Sequence, residues 1–324
     1  MRKILLLVLV VSFVSSNAQS DTIVTFGFGS CNQPTTDSSL QSITTLTKAM
    51  DTLDAFIWLG DNLYYGRRDW SSFENMMHKY QTVFETPALQ QFLASGNHLA
   101  ILDDHDYGPN DSDGDFEGKK EALEAFKTFW NPEYEPVNED SYYGLQRIGP
   151  VDFFFLDNRT FRTRENHPNA TIFGEEQLNW FQEAYMESDA PVKIVLMGGQ
   201  FLTSAAVFEN VANYPGEQIR IKDIVSQDNN NAVFFLTGDR HHGEISVQDS
   251  IVGPTIVDVT SSPLTATPHE HHNEPNPFRV HEGTTDERNF GTIQLKIEDA
   301  VLKSYTVKLH RADGSVIFEY TQHF

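Results

Sequence analysis

The sequence is poor in cysteine and in basic residues. A single cysteine, Cys31, stands among 324 residues, so the chain forms no internal disulfide and is not a disulfide-stabilised scaffold. Only 23 lysines and arginines oppose 46 aspartates and glutamates, which gives a formal net charge of −23 at pH 7. A surface this acidic repels nucleic acid and anionic membranes, so neither is an expected partner. It also repels phosphate esters unless bound cations reverse the field locally.

Long apolar runs are also missing. The longest covers residues 4–11, directly after the basic pair Arg2-Lys3, and it is shorter than a membrane-spanning helix. The small residues Ser15-Ser16-Asn17-Ala18 follow it. This order predicts a signal peptide over residues 1–18 that is cleaved after Ala18, and a mature protein that is periplasmic or secreted.

Strand-like and helix-like segments alternate through most of the sequence. Apolar runs such as Phe56–Leu59 and Ile194–Met197 have the length of buried strands, and amphipathic runs such as Lys119–Phe129 have the length of helices. From residue 255 the pattern changes to consecutive strands, with a hairpin turn at Asp313-Gly314. This order predicts an α/β protein with two facing mixed β-sheets sandwiched by helices, and a single domain over residues 19–324.

The most informative segment is 103–113, which reads Asp-Asp-His-Asp-Tyr-Gly-Pro-Asn-Asp-Ser-Asp. It places five acidic residues, a histidine and an asparagine directly after the apolar run Leu99–Leu102. Unpaired charge at the end of a buried strand is costly, and a bound cation would offset that cost. The alternative interpretation is a solvated acidic loop that follows a strand.

Three further apolar strands end in side chains that can bind metals. Their ends are Gly29-Ser30-Cys31-Asn32, Gly60-Asp61-Asn62-Leu63-Tyr64 and Gly238-Asp239-Arg240-His241-His242. Ligand sites of α/β sheets lie beyond the carboxyl ends of the strands, so the four ends are expected to converge. One acidic strand end is usually a helix cap, whereas four ends with thiol, carboxylate, phenol and imidazole groups favour a polynuclear metal centre.

The types of ligand restrict the metals. A phenol with a pKa of about 10 needs a strong Lewis acid to bind as phenolate at neutral pH, which makes ferric iron the candidate if Tyr64 is a ligand. Asp104 and Asp239 offer the hard oxygen ligands that calcium or magnesium prefers. Adjacent cations that share a carboxylate can activate water and hold the oxygens of an ester during in-line displacement.

Five motifs together resemble those of the alkaline phosphatase D (PhoD-like) family, which has the calcineurin-like metallophosphoesterase architecture. They are Gly29-Ser30-Cys31, Gly60-Asp61-x-x-Tyr64, Asp103-Asp104-His105-Asp106 with Asn110, Leu156-Asp157-x-Arg159, and Gly238-Asp239-x-His241. The resemblance covers roughly residues 22–297, and the combination is specific although each motif alone is weak. Many members carry an immunoglobulin-like domain before the catalytic one, which is expected to be absent here because the first strand begins close to the cleavage site.

The resemblance implies a set of metal ligands. Cys31, Asp61 and Tyr64 would hold a ferric ion, and Asp61 would bridge to one or more calcium ions. The further metal-site positions implied are Asp104, Gln200, Asp239 and His241.

The resemblance also implies residues that contact the substrate. His105 and Asn110 would contact the phosphate or stabilise the leaving group, and Arg159 would clamp the phosphate with its guanidinium. Arg159 could instead be a salt-bridge partner of Asp157. The family often has glutamate where this chain has Asp106, whose shorter carboxylate need not touch the metals.

Together these features predict a secreted, metal-dependent phosphoric ester hydrolase for small mono- or diesters, in which a metal-bound hydroxide attacks phosphorus. One alternative is a phosphodiesterase for phospholipids or teichoic-type polymers. Another, of a different class, is a secreted metal-binding or adhesive module without catalysis. Ser261-Ser262 lacks the Gly-x-Ser-x-Gly elbow, which argues against a serine hydrolase. The loop Thr265–Glu287 is rich in histidine, and the sequence leaves open whether it covers the site.

Overall fold

The computed structural model of the protein describes residues 21–270, 274–280 and 284–324. The predicted signal peptide lies outside these ranges, as do parts of the histidine-rich loop. Within them, the chain forms twelve β-strands in two sheets of six, together with seven α-helices and short 3-10 turns. None of the helices described is both long enough and apolar enough to cross a membrane.

The first sheet has a parallel half and an antiparallel half. Strands β1 (Thr22–Gly29), β2 (Ala55–Leu59) and β3 (His98–Ile101) run parallel to one another. The last three strands form an antiparallel meander that pairs with β1, and they are β10 (Asn289–Glu298), β11 (Val301–Arg311) and β12 (Val316–His323). The predicted hairpin between β11 and β12 is confirmed, and Gly314 supplies its left-handed residue with φ +90°.

The second sheet is parallel at its centre and antiparallel at both edges. Its strands are β4 (Gly144–Ile148), β5 (Val151–Phe155), β6 (Val192–Met197), β7 (Ala232–Thr237), β8 (Glu244–Gln248) and β9 (Thr255–Thr260). They lie in the order β4-β5-β6-β7-β9-β8, with β5, β6, β7 and β9 parallel. The edge strand β8 is an element that the sequence pattern did not predict.

Helices cover the outer faces of the two sheets. They are α1 (Gln41–Ala49), α2 (Phe73–Phe84), α3 (Pro87–Leu93), the single turn α4 (Asp104–Tyr107), α5 (Lys119–Trp130), α6 (Gly174–Glu187) and α7 (Pro215–Val225). The core between the sheets extends to α1, α2, α3 and α5, whereas a second core lies between the second sheet and α6 and α7. The predicted architecture of two facing sheets sandwiched by helices is confirmed.

Alternation along β5 shows how one strand serves both cores. Phe153 and Phe155 pack between the sheets, where the Phe153 ring meets the Phe26 ring edge-on at 5.0 Å. Phe154 points the opposite way and packs against Phe181 of α6 at 5.6 Å. Because successive side chains of a strand face opposite sides, a run of three phenylalanines can be buried on both faces of the sheet.

The carboxyl ends of the parallel strands of both sheets meet at one edge. The backbone N–H of Ser30, after β1, donates to the carbonyl of Ser261, after β9, at 3.1 Å. The N–H of Cys31 donates to the carbonyl of Gly60, after β2, at 3.2 Å. The predicted convergence of the strand ends is therefore observed, and it places their polar side chains together.

Candidate metal centre

Four of the residues at the strand ends have a strained backbone. Cys31, Asp61, Asp239 and His241 have φ values of 58°, 52°, 64° and 52°, in the left-handed region that side-chain-bearing residues avoid. Each such residue costs of order 1 kcal/mol or more, and strain of this kind clusters at functional sites because the surrounding structure must hold it. Here it occurs at four of the seven predicted metal positions.

Gly60 allows the ends of β2 and β3 to approach each other closely. It has φ +88°, and a Cβ at this position would lie 2.5 Å from the Cβ of Asp103. No side chain fits at that distance. The glycine before Asp61 is therefore needed both for the backbone turn and for the contact between the two strand ends.

The first donor cluster combines sulfur, oxygen and nitrogen. The Sγ of Cys31 lies 3.6 Å from Oδ2 of Asp61, and the hydroxyl of Tyr64 donates to the same oxygen at 2.9 Å. The Tyr64 hydroxyl is also 3.2 Å from Nε2 of His241. Nδ1–H of His241 donates to the carbonyl oxygen of Thr267 at 2.6 Å, so Nε2 is the ring nitrogen that faces the cluster.

Asp61 also belongs to a second cluster. Ligand atoms of Asp61, Asp104 and His105 lie within 4.8 Å of one another. The backbone N–H of His105 donates to Oδ1 of Asp61 at 3.2 Å and to Oδ1 of Asp104 at 2.8 Å. Asp61 is thus common to both groups of candidate ligands, with Oδ2 facing Cys31 and Tyr64 and Oδ1 facing the backbone N–H of His105.

Glu209 is a candidate ligand that the sequence did not reveal. It lies in the loop between β6 and α7, away from every strand-end motif. One group of atoms within 4.8 Å contains Glu209 with Asp103 and Asp239, and another contains it with Asp104 and Asp111. No local pattern around Glu209 marks it, because only the tertiary fold brings this loop to the strand ends.

Burial shifts the pKa values of these donors upward. The pKa values of Asp61 and Asp239 rise well above the usual carboxyl range, chiefly because the groups are buried and then because other acids surround them. Burial also raises the pKa of Asp104 to about 7 and that of the Cys31 thiol to about 12. A cation bound at these donors would supply the missing positive charge and allow them to ionise.

Asp103 provides a further sign that the site accommodates cations. Its side chain is buried, and its Oδ2 is among the buried oxygens that accept no hydrogen bond within the part of the chain that the structure describes. An unsatisfied buried carboxylate oxygen is costly, and a metal ion is one partner that satisfies it. The donor set, with one thiol, one phenol, imidazole and several carboxylates, fits a metal centre.

Arg159 does not occupy the position expected of a phosphate clamp. Its side chain is fully buried, and its Nε donates to Oδ1 of Asp103 at 2.7 Å while Nη1 donates to Oε1 of Glu209 at 2.8 Å. Glu209 also pairs with Arg162. The guanidinium therefore joins two buried acids behind the metal centre. The alternative side-chain pairing with Asp157 is not observed either, since that carboxylate accepts from the backbone N–H of Arg159.

Gln200 and Asp106 both lie behind the donor clusters. The amide of Gln200 donates to Oγ1 of Thr260 at 3.0 Å and accepts from Arg240 at 3.2 Å. The carboxylate of Asp106 accepts from the backbone N–H groups of Asn62 and Asp103 at 3.1 and 3.0 Å. The side chain of Gln200 is thus hydrogen-bonded to Thr260 and Arg240, and Asp106 joins the ends of β2 and β3.

A cavity of about 500 Å³ opens above the two clusters. His105 and Asn110 line it together with Asp61, Asp104, Asp239 and His241. The His105 ring packs against the Tyr64 ring at 4.1 Å. On the other side, the His269 ring of the histidine-rich loop stacks on His241 at 4.4 Å. The residues predicted to contact substrate therefore lie next to the donors, with the exception of Arg159.

The sequence model of the PhoD-like phosphatases matches residues 26–304 of the protein. This chain belongs to the PhoD-like phosphatase family. It is accordingly a phosphoric ester hydrolase that depends on metal ions and acts on small phosphate esters, and the resemblance drawn from the five motifs is confirmed. No curated protein matches the chain.

Solved structures of several phosphatases share the fold. A structure described as PhoD has a TM-score of 0.74 at 16% identity, covering 94% of this chain and 70% of that one. Purple acid phosphatase PPD1 from yellow lupin (Lupinus luteus) seeds has a TM-score of 0.68 at 12% identity, covering 94% and 54%. A dimetal phosphatase from Danio rerio has a TM-score of 0.57 at 14% identity, covering 93% and 99%. At these identities the likeness establishes the metallophosphoesterase-like fold.

Proposed function

We propose that this PhoD-like protein is a secreted phosphatase or phosphodiesterase whose centre holds one ferric ion and at least one calcium ion. The position of Asp61 between two donor clusters is the observation that carries this proposal. The cluster with Cys31 and Tyr64 offers soft and strongly basic donors that suit iron. The group formed by Asp104, Asp111 and Glu209 offers only carboxylates, which suit calcium.

Such ions, when bound, polarise the phosphoryl oxygens and activate the attacking water. The side chains around them position the ester. His105 and Asn110 lie on the cavity wall beside the clusters, where they can hydrogen-bond to the phosphate or to the departing oxygen. The ring contact with Tyr64 at 4.1 Å holds the His105 imidazole in place, so its orientation is set before substrate arrives.

Hydrolysis of 4-nitrophenyl phosphate and bis(4-nitrophenyl) phosphate by the purified mature protein tests this function. We expect nitrophenol release at alkaline pH that a chelator abolishes and that iron with calcium restores. Asp61→Asn should lose this activity, whereas Asp51→Asn, which changes an exposed aspartate outside the cavity, should retain it. Metal-replete protein that releases nitrophenol from neither ester would contradict the proposal and would favour a metal-binding module without catalysis.

The ratio of the two rates distinguishes a phosphatase from a phosphodiesterase. A phosphomonoesterase hydrolyses the first ester faster, and an enzyme for phospholipids or teichoic-type polymers hydrolyses the second faster. Elemental analysis of the same preparation tests the metals, since the proposal requires about one iron per chain and calcium in addition.

Export is proposed from the N-terminal sequence. The basic pair and the apolar run of residues 4–11, followed by small residues, support cleavage after Ala18. Mass spectrometry of the protein expressed in a bacterial host should find a chain that begins at Gln19 in the periplasm or medium. An intact N-terminus retained inside the cell would contradict this localisation.

A further inference from the structure

Phe208 is an exposed aromatic residue with a strained backbone. Its φ is +49°, in a region that bulky side chains rarely adopt, and its side chain is 64% exposed. A residue in this conformation costs free energy that the surrounding structure must offset. Strain together with exposure of a large apolar ring is not explained by packing of the core.

The ring of Phe208 is held in place from one side. The guanidinium of Arg240 lies over the ring, 4.8 Å from its centroid. Arg240 is itself fixed, since its Nη1 donates to Oδ1 of Asn210 at 2.9 Å and its Nη2 to Oε1 of Glu274 at 2.6 Å. The second face of a ring that is already ordered can therefore bind a flat group with little loss of side-chain entropy.

Two cavities meet at Phe208. The cavity above the metal clusters and a neighbouring one of about 690 Å³ share Asn110, Asp111 and Phe208 in their walls. A substrate whose phosphate lies at the metal centre can therefore extend past the ring into the second cavity. Val207, which is 37% exposed, adds a further apolar surface there.

The charges of the second cavity favour a neutral occupant. Its two arginines are already paired with acids, Arg162 with Glu165 at 2.8 Å and Arg164 with Asp113 at 3.8 Å. The wall of this cavity also carries three acids, Asp111, Asp113 and Glu165, which outnumber the two arginines, so its charge does not favour a second phosphate or another anionic group. The apolar surface of Phe208 is then the main feature that a leaving group would meet.

We propose that Phe208 is the specificity-determining residue of a leaving-group subsite, and that it stacks on a flat aromatic or heteroaromatic group esterified to the phosphate. This inference rests on the proposed phosphoesterase function, because it places the phosphate at the metal centre. Aromatic esters should accordingly be preferred over alkyl esters of similar size. Stacking of this kind strengthens binding by roughly three- to tenfold.

Steady-state kinetics of the metal-replete protein with 2-naphthyl phosphate and ethyl phosphate test the proposal, with release of inorganic phosphate as the readout. Comparing each variant with wild type on the same ester removes the different intrinsic reactivities of the two leaving groups. Phe208→Ala should lower kcat/KM about three- to tenfold for the naphthyl ester and less than about twofold for the ethyl ester. Phe208→Trp should retain the preference, and Ile219→Ala, an equally apolar exposed site on α7, should change neither rate.

An equal loss on both esters would overturn the proposal, because it would mean that Phe208 acts only by holding Arg240. Unchanged rates for both esters would overturn it as well. Wild-type protein that hydrolyses neither ester would instead refute the proposed function. Calorimetric binding of 2-naphthyl phosphate to wild type and to Phe208→Ala would then decide the stacking role, and equal affinities would exclude it.

Discussion

Replacing Arg159 with leucine separates a structural role from a phosphate clamp. The guanidinium is fully buried between the carboxylates of Asp103 and Glu209. Leucine would leave Asp103 with the amide of Asn158 at 2.9 Å, and Glu209 with Arg162, as their remaining polar partners. Removing one partner from a buried ion pair costs about 3–5 kcal/mol, because the other charge stays buried without compensation.

This loss converts into a large change in thermal stability. The entropy of unfolding is about 2.1 cal/mol/K per residue, or about 0.6 kcal/mol/K for roughly 300 residues, so Arg159→Leu should lower Tm by about 5–8 °C. Differential scanning calorimetry of the metal-loaded protein measures this shift. Arg164→Leu is the matched control, since that arginine side chain is 84% exposed and its pair with Asp113 is 3.8 Å long. The control should change stability by less than about 0.5 kcal/mol.

Steady-state kinetics of Arg159→Leu distinguish the structural role from a contact with substrate. If Arg159 held the phosphate, its removal would raise KM for the phosphate ester while Tm stayed almost constant. We expect instead that any folded Arg159→Leu protein keeps its KM within a factor of about two, because the guanidinium lies behind the cavity and not on its wall. A variant with unchanged Tm and a tenfold higher KM would refute the structural assignment.

Three further predictions concern stability and metal content. Gly60→Ala should destabilise the protein by about 3 kcal/mol or more in urea unfolding, whereas Gly216→Ala, with open space and an ordinary φ, should change stability by less than about 1 kcal/mol. Burial lowers the pKa of His98 to about 4, so protonation of this histidine favours the unfolded state. The free energy of unfolding measured in urea should therefore fall by at most about 3 kcal/mol as the pH falls from 6.5 towards 4. His98→Gln should reduce this pH dependence. Elemental analysis should find that Cys31→Ser loses iron and keeps calcium, whereas Asp61→Asn loses both. The same iron and calcium content in the two variants would contradict a bridging role for Asp61.

The fold could be predicted because its signals are local. The triple phenylalanine run of β5 and the short apolar runs of the other central strands have the length and composition of buried strands, and the turn at Gly314 needs the φ that glycine favours. The strand β8 escaped prediction. Its five residues, Glu244–Gln248, include three polar side chains, and tertiary contacts bury most of them. Pairing with β9 fixes this segment as a strand where its own composition does not.

The site could be predicted only where its residues follow strands. Cys31, Asp61 and Asp239 are marked by the strands before them, and the fold places Cys31 Sγ 3.6 Å from Oδ2 of Asp61 and 3.6 Å from the carbonyl oxygen of Asp239. Glu209 and Phe208 lie in an irregular loop, where no periodicity indicates the direction of a side chain. Arg159 was predicted to clamp the phosphate, with Asp157 as the alternative partner, and its motif could not show the burial that joins its guanidinium to Asp103 and Glu209.

Charge links the affinity for substrate to the occupancy of the metal centre. The chain has a formal net charge of −23, and the cavity wall carries Asp61, Asp104 and Asp239 from the ends of β2, β3 and β7. Among the described residues of that wall, Arg240 is the only arginine or lysine, and Glu274 already pairs with it at 2.6 Å. A dianionic ester therefore meets a repulsive field unless cations reverse its sign. Depletion of the metals should consequently weaken phosphate binding itself, and not only slow the reaction of phosphate that is already bound.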